Sequence, residues 1–499
     1  MTGHPHVGVT RAFLGLPTFQ TAAKVALGDP VLRRNLAHAT GIIREKRAAV
    51  VGELDNWEQL RLAAEAIKDA ALHRLDEYLE AFEVNATAAG ATVHWARDAE
   101  EANRIVVALV RAEGATEVVK VKSMATQEIE LNEALSAAGI DAWETDLAEL
   151  IIQLGDDWPS HILVPAIHRN RAEVREIFLR EMGKAGRPAP PDLADDPRRL
   201  AEAARLHLRE KFLRARVAVS GANFAIADTG SLVVVESEGN GRMCLTLPET
   251  LISVVGIEKV LPSWRDLEVF LQVLPRSSTG ERENPYTSIW TGIDAGDGPR
   301  NVHVVLLDNG RSRVLADPKG RAALRCIRCS ACLNVCPVYE RTGGHSYGSV
   351  YPGPIGAVLT PQLRGTASDI DKSLPFASSL CGACFDVCPV RIDIPSMLVH
   401  LRTRVVDERR GGVPGPEQLT MKAASWTLAD HRRLGAIEKL AAIAGKVLRS
   451  KPMGGKQVLR WLPWPARSWS RARDAPVPPT ESFRDWWQRT DGGLRDGET

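Results

Sequence analysis

Seven of the eight cysteines of this chain lie in two short clusters between residues 326 and 388. The clusters read Cys326-x-x-Cys329-x-x-Cys332-x-x-x-Cys336-Pro337 and Cys381-x-x-Cys384-x-x-x-Cys388-Pro389. The first spacing is that of bacterial ferredoxins, in which three close thiolates hold one iron-sulfur cluster and the Cys before proline holds a neighbouring one. The cysteines therefore predict a domain that folds around iron-sulfur clusters.

Other uses of these cysteines fit less well. Disulfide frameworks are typical of short secreted chains, whereas this chain has 499 residues and no charged segment followed by an apolar signal segment at its start. Structural zinc prefers four ligands in paired C-x-x-C units, so zinc stays a weaker alternative. Cys244 stands alone between apolar neighbours and is interpreted as a small buried side chain.

Length and charge limit the class of protein. A chain of 499 residues is expected to form about two or three domains. Lys and Arg number 63 against 62 Asp and Glu, which argues against a nucleic-acid binder that depends on overall charge. No run approaches the roughly 20 apolar residues that cross a bilayer, so we expect a soluble or at most peripheral protein.

Upstream of the cysteines, helical and extended patterns alternate. An amphipathic helical opening covers residues 57–86. Helices are then predicted at 98–112, 126–138, 170–182 and 198–214. Strands are predicted at 91–95, 117–122, 140–144, 160–165, 215–223, 225–236, 252–255 and 302–307, with a turn at Asp228-Thr229-Gly230. This alternation predicts an α/β domain with a largely parallel sheet that ends near residue 315.

Nucleotide-binding fingerprints are absent from the sequence. No G-x-G-x-x-G follows a predicted strand, and no G-x-x-x-x-G-K-[ST] phosphate loop occurs. Gly221, Gly230 and the glycines at 239–241 can bring backbone close to a ligand, but turns are the more frequent explanation of such glycines. Neither a dinucleotide site nor a nucleoside triphosphatase is supported.

Three longer stretches resemble the lactate utilization protein B family. They lie at residues 120–132, 221–231 and 343–361, and the resemblance covers roughly residues 40–460. It implies an N-terminal segment (1–55), a lactate-utilization α/β domain (56–315) similar to the CoA-transferase and sugar-phosphate isomerase type, a mainly α-helical dicluster ferredoxin-like domain (316–400), and a basic, Trp-rich C-terminal region (401–499).

The resemblance also implies which thiolates hold which cluster. Cluster 1 would be held by Cys326, Cys329, Cys332 and Cys388, and cluster 2 by Cys336, Cys381 and Cys384. Both are expected to be [4Fe-4S]. The second motif is one thiolate short, because Ser378 aligns with Cys326. Cluster 2 is therefore a [4Fe-4S] cluster with a different or open fourth position, or a [3Fe-4S] cluster. His345 and Asp386 are candidate fourth ligands, although a turn or hydrogen-bonding role is the simpler interpretation of His345.

The function implied by the resemblance is electron transfer in an L-lactate-oxidising complex. The chain would act with two other lactate-utilization proteins in the cytoplasm, would not be catalytic alone, and would pass electrons to an acceptor that the sequence does not identify. An iron-sulfur subunit of another hydroxy-acid dehydrogenase, such as one for glycolate, or of a glycerol-3-phosphate dehydrogenase is an alternative.

In a further alternative, the α/β domain binds a ligand or has acyl-CoA-type activity of its own. Four polar residues would then be tested: Lys122, Glu128, Asn223 and Asp228. Ordinary salt bridges, helix caps and turns explain the same residues equally well. Fold analogy alone is a weak argument for activity, so both interpretations stay open at this point.

The region after residue 400 is basic and rich in tryptophan. Residues 401–473 hold 16 Lys and Arg against 5 Asp and Glu, and six of the twelve tryptophans follow residue 425. An amphipathic helix is predicted at 433–449. Such a segment is expected to dock on a partner, to lie peripherally on the inner face of an anionic membrane, or to pack across its own iron-sulfur domain.

Overall fold

Two compact units make up the structure, a computed structural model that describes residues 17–408, 415–447, 450–453, 456–462, 467–470 and 474–490. The boundary between the units lies between Val406 and Asp407. The cysteine clusters and the predicted α/β region both belong to the first unit. The domain limits predicted at residues 55, 315 and 400 stay predictions.

Helices open the described part of the first unit. They are α1 (Phe19–Ala26), α2 (Pro30–Val51), α3 (Trp57–His73) and α4 (Leu75–Ala88). The side chain of Asp29 accepts hydrogen bonds from the backbone N–H groups of Val31 and Leu32, and Pro30 fits the first helical position. The helical opening predicted at 57–86 is thus two helices that meet at Arg74.

The α/β region follows. Its elements are β1 (Thr92–Ala96), α5 (Ala99–Ala112), β2 (Glu117–Lys120), α6 (Met124–Glu128), α7 (Leu131–Ala137), β3 (Asp141–Glu144), α8 (Leu147–Leu154), α9 (Arg171–Glu181), α10 (Pro197–Arg214), β4 (Val217–Ser220), β5 (Phe224–Ile226), β6 (Ser231–Glu236), α11 (Asn240–Thr246), β7 (Thr250–Gly256), β8 (Val260–Leu261), α12 (Trp264–Ser278), β9 (Tyr286–Trp290), β10 (Asn301–Leu307) and α13 (Arg311–Ala316).

A six-stranded sheet with all neighbours parallel forms the centre of this region. Its strand order is β1-β10-β7-β4-β2-β3. In its register Thr92 faces His303, Val217 faces Thr250 and Glu117 faces Asp141. Every residue of β4 and β7 is buried, as parallel strands covered by helices on both faces require. The predicted α/β layer with a parallel sheet is confirmed.

A smaller sheet stands beside the first, with strand order β8-β5-β6-β9. Strands β5 and β6 pair antiparallel, so the turn predicted at residues 228–230 is confirmed. The single strand predicted at 225–236 is instead these two strands, and β4, from the strand predicted at 215–223, belongs to the larger sheet. Gly230 has φ 67°, and a Cβ added there would lie 2.2 Å from the backbone nitrogen of Ala86. This turn therefore requires glycine.

The strand predicted at 160–165 is wrong. In this segment the backbone N–H of Ser160 donates to the carbonyl of Pro165 over 3.0 Å. The ring Nδ1 of His161 accepts from the N–H groups of Leu163 and Val164, each at 3.0 Å. The chain is therefore folded back on itself by local hydrogen bonds, and its N–H groups are not free to join a sheet.

The cysteine segment consists of short helices and turns. Its elements are a 3₁₀ helix (Arg321–Arg325), α14 (Ala331–Asn334), α15 (Pro337–Thr342), α16 (Gly353–Arg364), α17 (Asp369–Ser373), α18 (Ala383–Asp386) and α19 (Ile394–Glu408). The largest hydrophobic cluster of the molecule includes Cys329, Cys336, Cys384 and Cys388 together with residues of α1, α2 and α3. The cysteines are thus part of a core that the N-terminal helices complete.

The second unit holds α20 (Pro416–Leu428), α21 (His431–Val447), β11 (Ser450–Met453), β12 (Lys456–Leu459), α22 (Arg467–Ser470), β13 (Ala475–Pro476) and α23 (Phe483–Arg489). The predicted helix at 433–449 is observed up to Val447, and residues 448–449 and Trp464 lie outside the described residues. The side chains of Trp426, Trp461, Trp486 and Trp487 are exposed. Among the helices described here, none has the length and apolarity to cross a membrane.

Candidate functional site

The two cysteine motifs share one backbone shape. In the first motif, Arg328 and Ser330 have positive φ angles of 63° and 65°, and α14 begins directly afterwards. In the second, Leu380 and Gly382 have φ angles of 56° and 87°, and α18 begins directly afterwards. Left-handed conformations are costly for residues other than glycine, so their recurrence at matched positions marks a repeated loop. This match supports the alignment of Ser378 with Cys326.

The structure brings the cysteines together in two groups. The pKa of Cys329 is raised by burial and then by Cys388 and Cys326, although Cys388 belongs to the other motif. Burial, followed by Cys336 and Cys381, raises the pKa of Cys384 to about 12. Which thiolates hold which cluster stays a prediction.

These thiols suit iron-sulfur clusters. Burial and the neighbouring thiols raise the pKa values of Cys329, Cys332 and Cys384, so these three need a cationic partner in order to be thiolates at neutral pH. Backbone N–H groups point at the sulfurs: that of Arg328 at Cys326 (3.4 Å), that of Tyr339 at Cys336 (3.4 Å) and that of Ile392 at Cys388 (3.3 Å). Hydrogen bonds to cluster sulfurs are one of the ways in which proteins tune these groups.

A buried phenol adds a further donor near Cys336. The hydroxyl of Tyr347 is buried and lacks a partner in good hydrogen-bond geometry among the described residues. After burial, Cys336 is the strongest influence on the pKa of Tyr347, which is raised. A buried hydroxyl without a partner is costly. A sulfur acceptor at cluster 2 would satisfy this donor.

The candidate fourth ligands of cluster 2 lie in different surroundings. Ser378 lines a small cavity together with Cys336, Cys381 and Cys384, and its hydroxyl accepts from the N–H of Leu380 over 3.1 Å. Asp386 is exposed at the end of α18 and is not part of that lining.

His345 is not part of that lining either. Its Nε2 lies 2.7 Å from the carbonyl oxygen of Trp158, so its interpretation as a hydrogen-bonding residue is confirmed. His345 also belongs to a group with Asp157 and His168 whose ligand-type atoms are all within 4.8 Å of one another. Asp157 already pairs with His168 Nε2 and with Arg169 Nε, both at 2.9 Å. A guanidinium in this position opposes a metal cation, so the group is a structural network.

Five basic side chains surround the cluster 1 position; we call them the basic wall: Arg47, Arg61, Lys68, Lys259 and Arg328. Arg61 donates to the carbonyls of Cys388 (2.9 Å) and Phe385 (3.0 Å), and Arg47 donates to that of Val387 (3.0 Å). Cys326 is among the groups that influence the pKa values of Lys68, Lys259 and Arg328. Positive charge at this position stabilises an anionic cluster.

Sequence reasoning missed the basic wall. Three of its members lie in α2 and α3, more than 250 residues before the first ligand. One signal was available, because Arg61 and Lys68 occupy the buried face of α3 that otherwise carries Leu60, Ala64 and Leu72. A basic residue at an apolar position of an amphipathic helix indicates a buried charge with a specific partner.

The α/β region contains a separate cavity of about 340 Å³. It lies at the carboxyl ends of β2, β4 and β7, and Ile327 and Arg328 of the first cysteine motif complete its wall. Of the residues singled out from the sequence, Lys122 and Asn223 line this cavity. Glu128 instead pairs with Arg311 (2.8 Å) and Asp228 is exposed in its turn, so these two have structural explanations.

The lone cysteine has the predicted surroundings. Cys244 is fully buried, and its sulfur lies 3.5 Å from the hydroxyl oxygen of Thr145. Burial raises its pKa to about 12. Its interpretation as a small buried side chain is confirmed.

Comparison with known proteins agrees with this architecture. Residues 79–307 match the LUD domain, and residues 322–392 match the 4Fe-4S dicluster domain. A solved structure of a DUF162 family protein from Deinococcus radiodurans overlaps with 47% of this chain and 98% of its own, with 16% identity and a TM-score of 0.26, which is too low to support an argument.

Curated relatives match over nearly their whole length. Lactate utilization protein B of Macrococcus caseolyticus is 42% identical over 95% of this chain and 98% of its own. Lactate utilization protein B 1 of Bacillus mycoides is 40% identical over 95% and 97%, and the protein of Oceanobacillus iheyensis is 40% identical over 97% and 99%. The chain belongs to the lactate utilization protein B family.

Proposed function

We propose that this protein transfers electrons in the oxidation of L-lactate, as part of a complex with two other lactate-utilization proteins. The observation that carries the proposal is the convergence of seven cysteines into two adjacent groups within a 4Fe-4S dicluster domain. The names of the relatives supply the connection to lactate. When bound, the two clusters supply one-electron oxidation and reduction.

The residues provide a short route between the two positions. The pKa of Cys332 is raised by burial, by Cys326 and Cys329 of its own group, and also by Cys384 of the other group. Cys332 is therefore close to thiols of both predicted ligand sets. Cys381 is exposed, whereas Cys329 and Cys388 are buried behind the basic wall. This difference supports electron exchange with a partner at cluster 2.

Metal content and spectroscopy test the proposal. Anaerobically purified protein should contain about eight irons per chain, or about seven if cluster 2 is [3Fe-4S], with matching acid-labile sulfide. Low-temperature EPR after dithionite reduction should show two interacting clusters in the first case, and an oxidised-state signal should identify the three-iron form. Four irons or fewer after careful reconstitution would contradict the electron route.

Activity assays test the role within a complex. The purified chain alone should not reduce an artificial acceptor with L-lactate, whereas a mixture with its two proposed partners should do so. Lactate oxidation by the single chain would contradict the proposal. Faster reduction with glycolate or glycerol 3-phosphate than with L-lactate in the complete mixture would instead favour the alternative dehydrogenases.

Two finer proposals concern the flanking regions. The α/β region is proposed to share the CoA-transferase and sugar-phosphate isomerase type of fold, for which a structure superposition is the test. The C-terminal region is proposed to contact the inner face of an anionic membrane from the cytoplasm, and its exposed tryptophans support this. Flotation with phosphatidylglycerol vesicles should carry the full chain, and flotation should be lost when Trp486 and Trp487 are both replaced by Ala.

A further inference from the structure

The cavity of the α/β region has the properties of a ligand site. Its volume of about 340 Å³ lies within the range of small-molecule pockets, which is roughly 300–1,000 Å³. It opens at the carboxyl ends of parallel strands, where α/β sheets bind their ligands. Apolar side chains of Ile162, Val235, Val254 and Leu274 form much of the wall. The proposed electron route makes no use of this space.

The carboxylates of the lining are already engaged. Asp146 caps α8 by accepting from the N–H groups of Ala148 (2.9 Å) and Glu149 (3.1 Å). Glu236 accepts from Gly241 N–H at 2.9 Å and Glu238 from Leu147 N–H at 3.0 Å.

The fourth carboxylate of the lining, Glu258, pairs with Arg311 and with Arg328, the latter at 3.1 Å. This pairing also engages both guanidinium groups of the lining. The four carboxylates and the two arginines of the wall therefore have partners within the protein.

Two ammonium groups of the lining have no ion-pair partner among the described residues. Lys259 has no hydrogen bond or ion pair within 4 Å among the described residues, although it lines the cavity and burial lowers its pKa to about 8. Lys122 donates to the carbonyl oxygen of Leu163 over 2.6 Å but has no carboxylate within ion-pair distance in the described part of the chain. Both lysines are partly buried and lack a carboxylate within 4 Å among the described residues, so an incoming anion would supply the missing partner.

We propose that this cavity binds a small organic carboxylate, with Lys259 as the partner of its carboxylate group and Lys122 as a second cationic contact. The apolar wall would contact a short carbon chain, and Nδ2 of Asn223, whose Oδ1 already accepts from the N–H of Val235 over 2.9 Å, is available to donate to a polar substituent. The proposal does not depend on the electron-transfer function, because it concerns binding in a different part of the unit.

The site lies directly beside cluster 1. Arg328 lines the cavity, its guanidinium donates to the carbonyl oxygen of Cys326 over 3.2 Å, and its backbone N–H points at the sulfur of Cys326. Lys259 and Cys326 also influence each other electrostatically. A bound anion therefore opposes the charge of the basic wall, and its binding should shift the midpoint potential of cluster 1 downward.

Calorimetric titration of the anaerobically reconstituted full chain tests the site. L-Lactate, propionate and inorganic phosphate are titrated separately at equal ionic strength. At least one of the two carboxylates should bind, more tightly than phosphate, and Lys259→Met should weaken that binding by tenfold or more. Tighter binding of L-lactate than of propionate would place a polar contact near the second carbon.

Matched variants separate binding from folding. Lys319→Met removes an exposed lysine near the cysteines and should leave the affinity unchanged. Lys259→Arg keeps the charge and should retain most of the affinity. If Lys259→Met loses iron or unfolds, Lys122→Met on the α/β side of the cavity replaces it, with an expected loss of at least threefold.

The absence of carboxylate binding, tighter binding of phosphate than of both carboxylates, or equal affinities in all lysine variants would overturn the proposal. Failure of the electron-transfer proposal would appear separately, as low iron content with binding intact.

Discussion

The two cluster positions have the same loop geometry but opposite surroundings. The basic wall surrounds cluster 1, and three of its members, Arg47, Lys68 and Lys259, have no carboxylate within 4 Å among the described residues. At cluster 2 the main influences on Cys336 are burial, two backbone N–H groups, Cys381 and Tyr347, with no cation among them. A repeated motif sets the ligands, whereas distant parts of the chain set the electrostatics.

This difference predicts that cluster 1 has the higher midpoint potential. Positive charge favours the reduced, more negative cluster. A unit charge about 8 Å away at an effective dielectric constant of about 20 contributes roughly 2 kcal/mol. Water near the exposed Cys381 also raises a midpoint potential, in this case that of cluster 2. The buried Lys68 and the partly buried Arg47 and Lys259, which lack carboxylate partners within 4 Å among the described residues, should outweigh it. Electrons entering at cluster 2 would therefore move toward the basic wall.

The largest effect is expected from removing the cysteine before each proline. Cys388→Ala should abolish cluster 1 and cost about four irons, although Cys388 lies in the second motif; Cys336→Ala should abolish cluster 2 instead. Iron analysis and EPR of both variants measure this. Cys244→Ala, outside both groups, should keep its full iron content. If each variant lost the cluster of its own motif, the crossed assignment would be wrong.

A smaller change in iron content is expected from Ser378→Cys. Ser378 lines the cavity with the three cysteines of cluster 2, so a thiolate there should complete four-Cys ligation. If the natural cluster 2 is [3Fe-4S], iron should rise by about one per chain and the oxidised-state EPR signal should disappear. Ser396→Cys, at an exposed serine of α19 outside this cavity lining, is the matched control and should change neither.

The smallest expected effect is a shift of one midpoint potential without a change in iron content. Lys68 is 2% exposed and donates to the backbone carbonyl of Glu258. Lys68→Met removes its charge at similar size and should lower the midpoint potential of cluster 1 by about 90 mV, the equivalent of roughly 2 kcal/mol for one electron. EPR-monitored redox titration measures this, with Lys319→Met as control. Equal shifts at both clusters would contradict the separation of the two environments.

The sequence was sufficient for features that are local in the chain. Cysteine spacing predicted iron-sulfur ligation, and short extended patterns between helical ones predicted β2, β3, β7 and β10. The same rule failed at residues 160–165, because Ile162 and Leu163 line the α/β cavity from a turn that the His161 ring stabilises. An apolar run alone does not tell a strand from a turn buried against another part of the protein.

Features that depend on distant contacts could not be predicted. Lys122 and Asn223 line the cavity. Glu128 is a polar residue of the same kind in the sequence, but its carboxylate pairs with Arg311. The pairing of Arg61 with carbonyls at Phe385 and Cys388 joins residues more than 320 positions apart. No spacing rule relates such positions, so their electrostatic role appears only once the chain is folded.

The contacts of Arg47 and Arg61 with the loop before Cys388 also determine when the protein can mature. On the ribosome, α2 and α3 emerge first, but the carbonyls that they bind and the last proposed ligand of cluster 1 emerge hundreds of residues later. At about 5–20 residues per second this delay is of the order of 15 to 70 s. Assembly of cluster 1 would then follow synthesis of nearly the whole first unit, because Cys388 is its last proposed ligand.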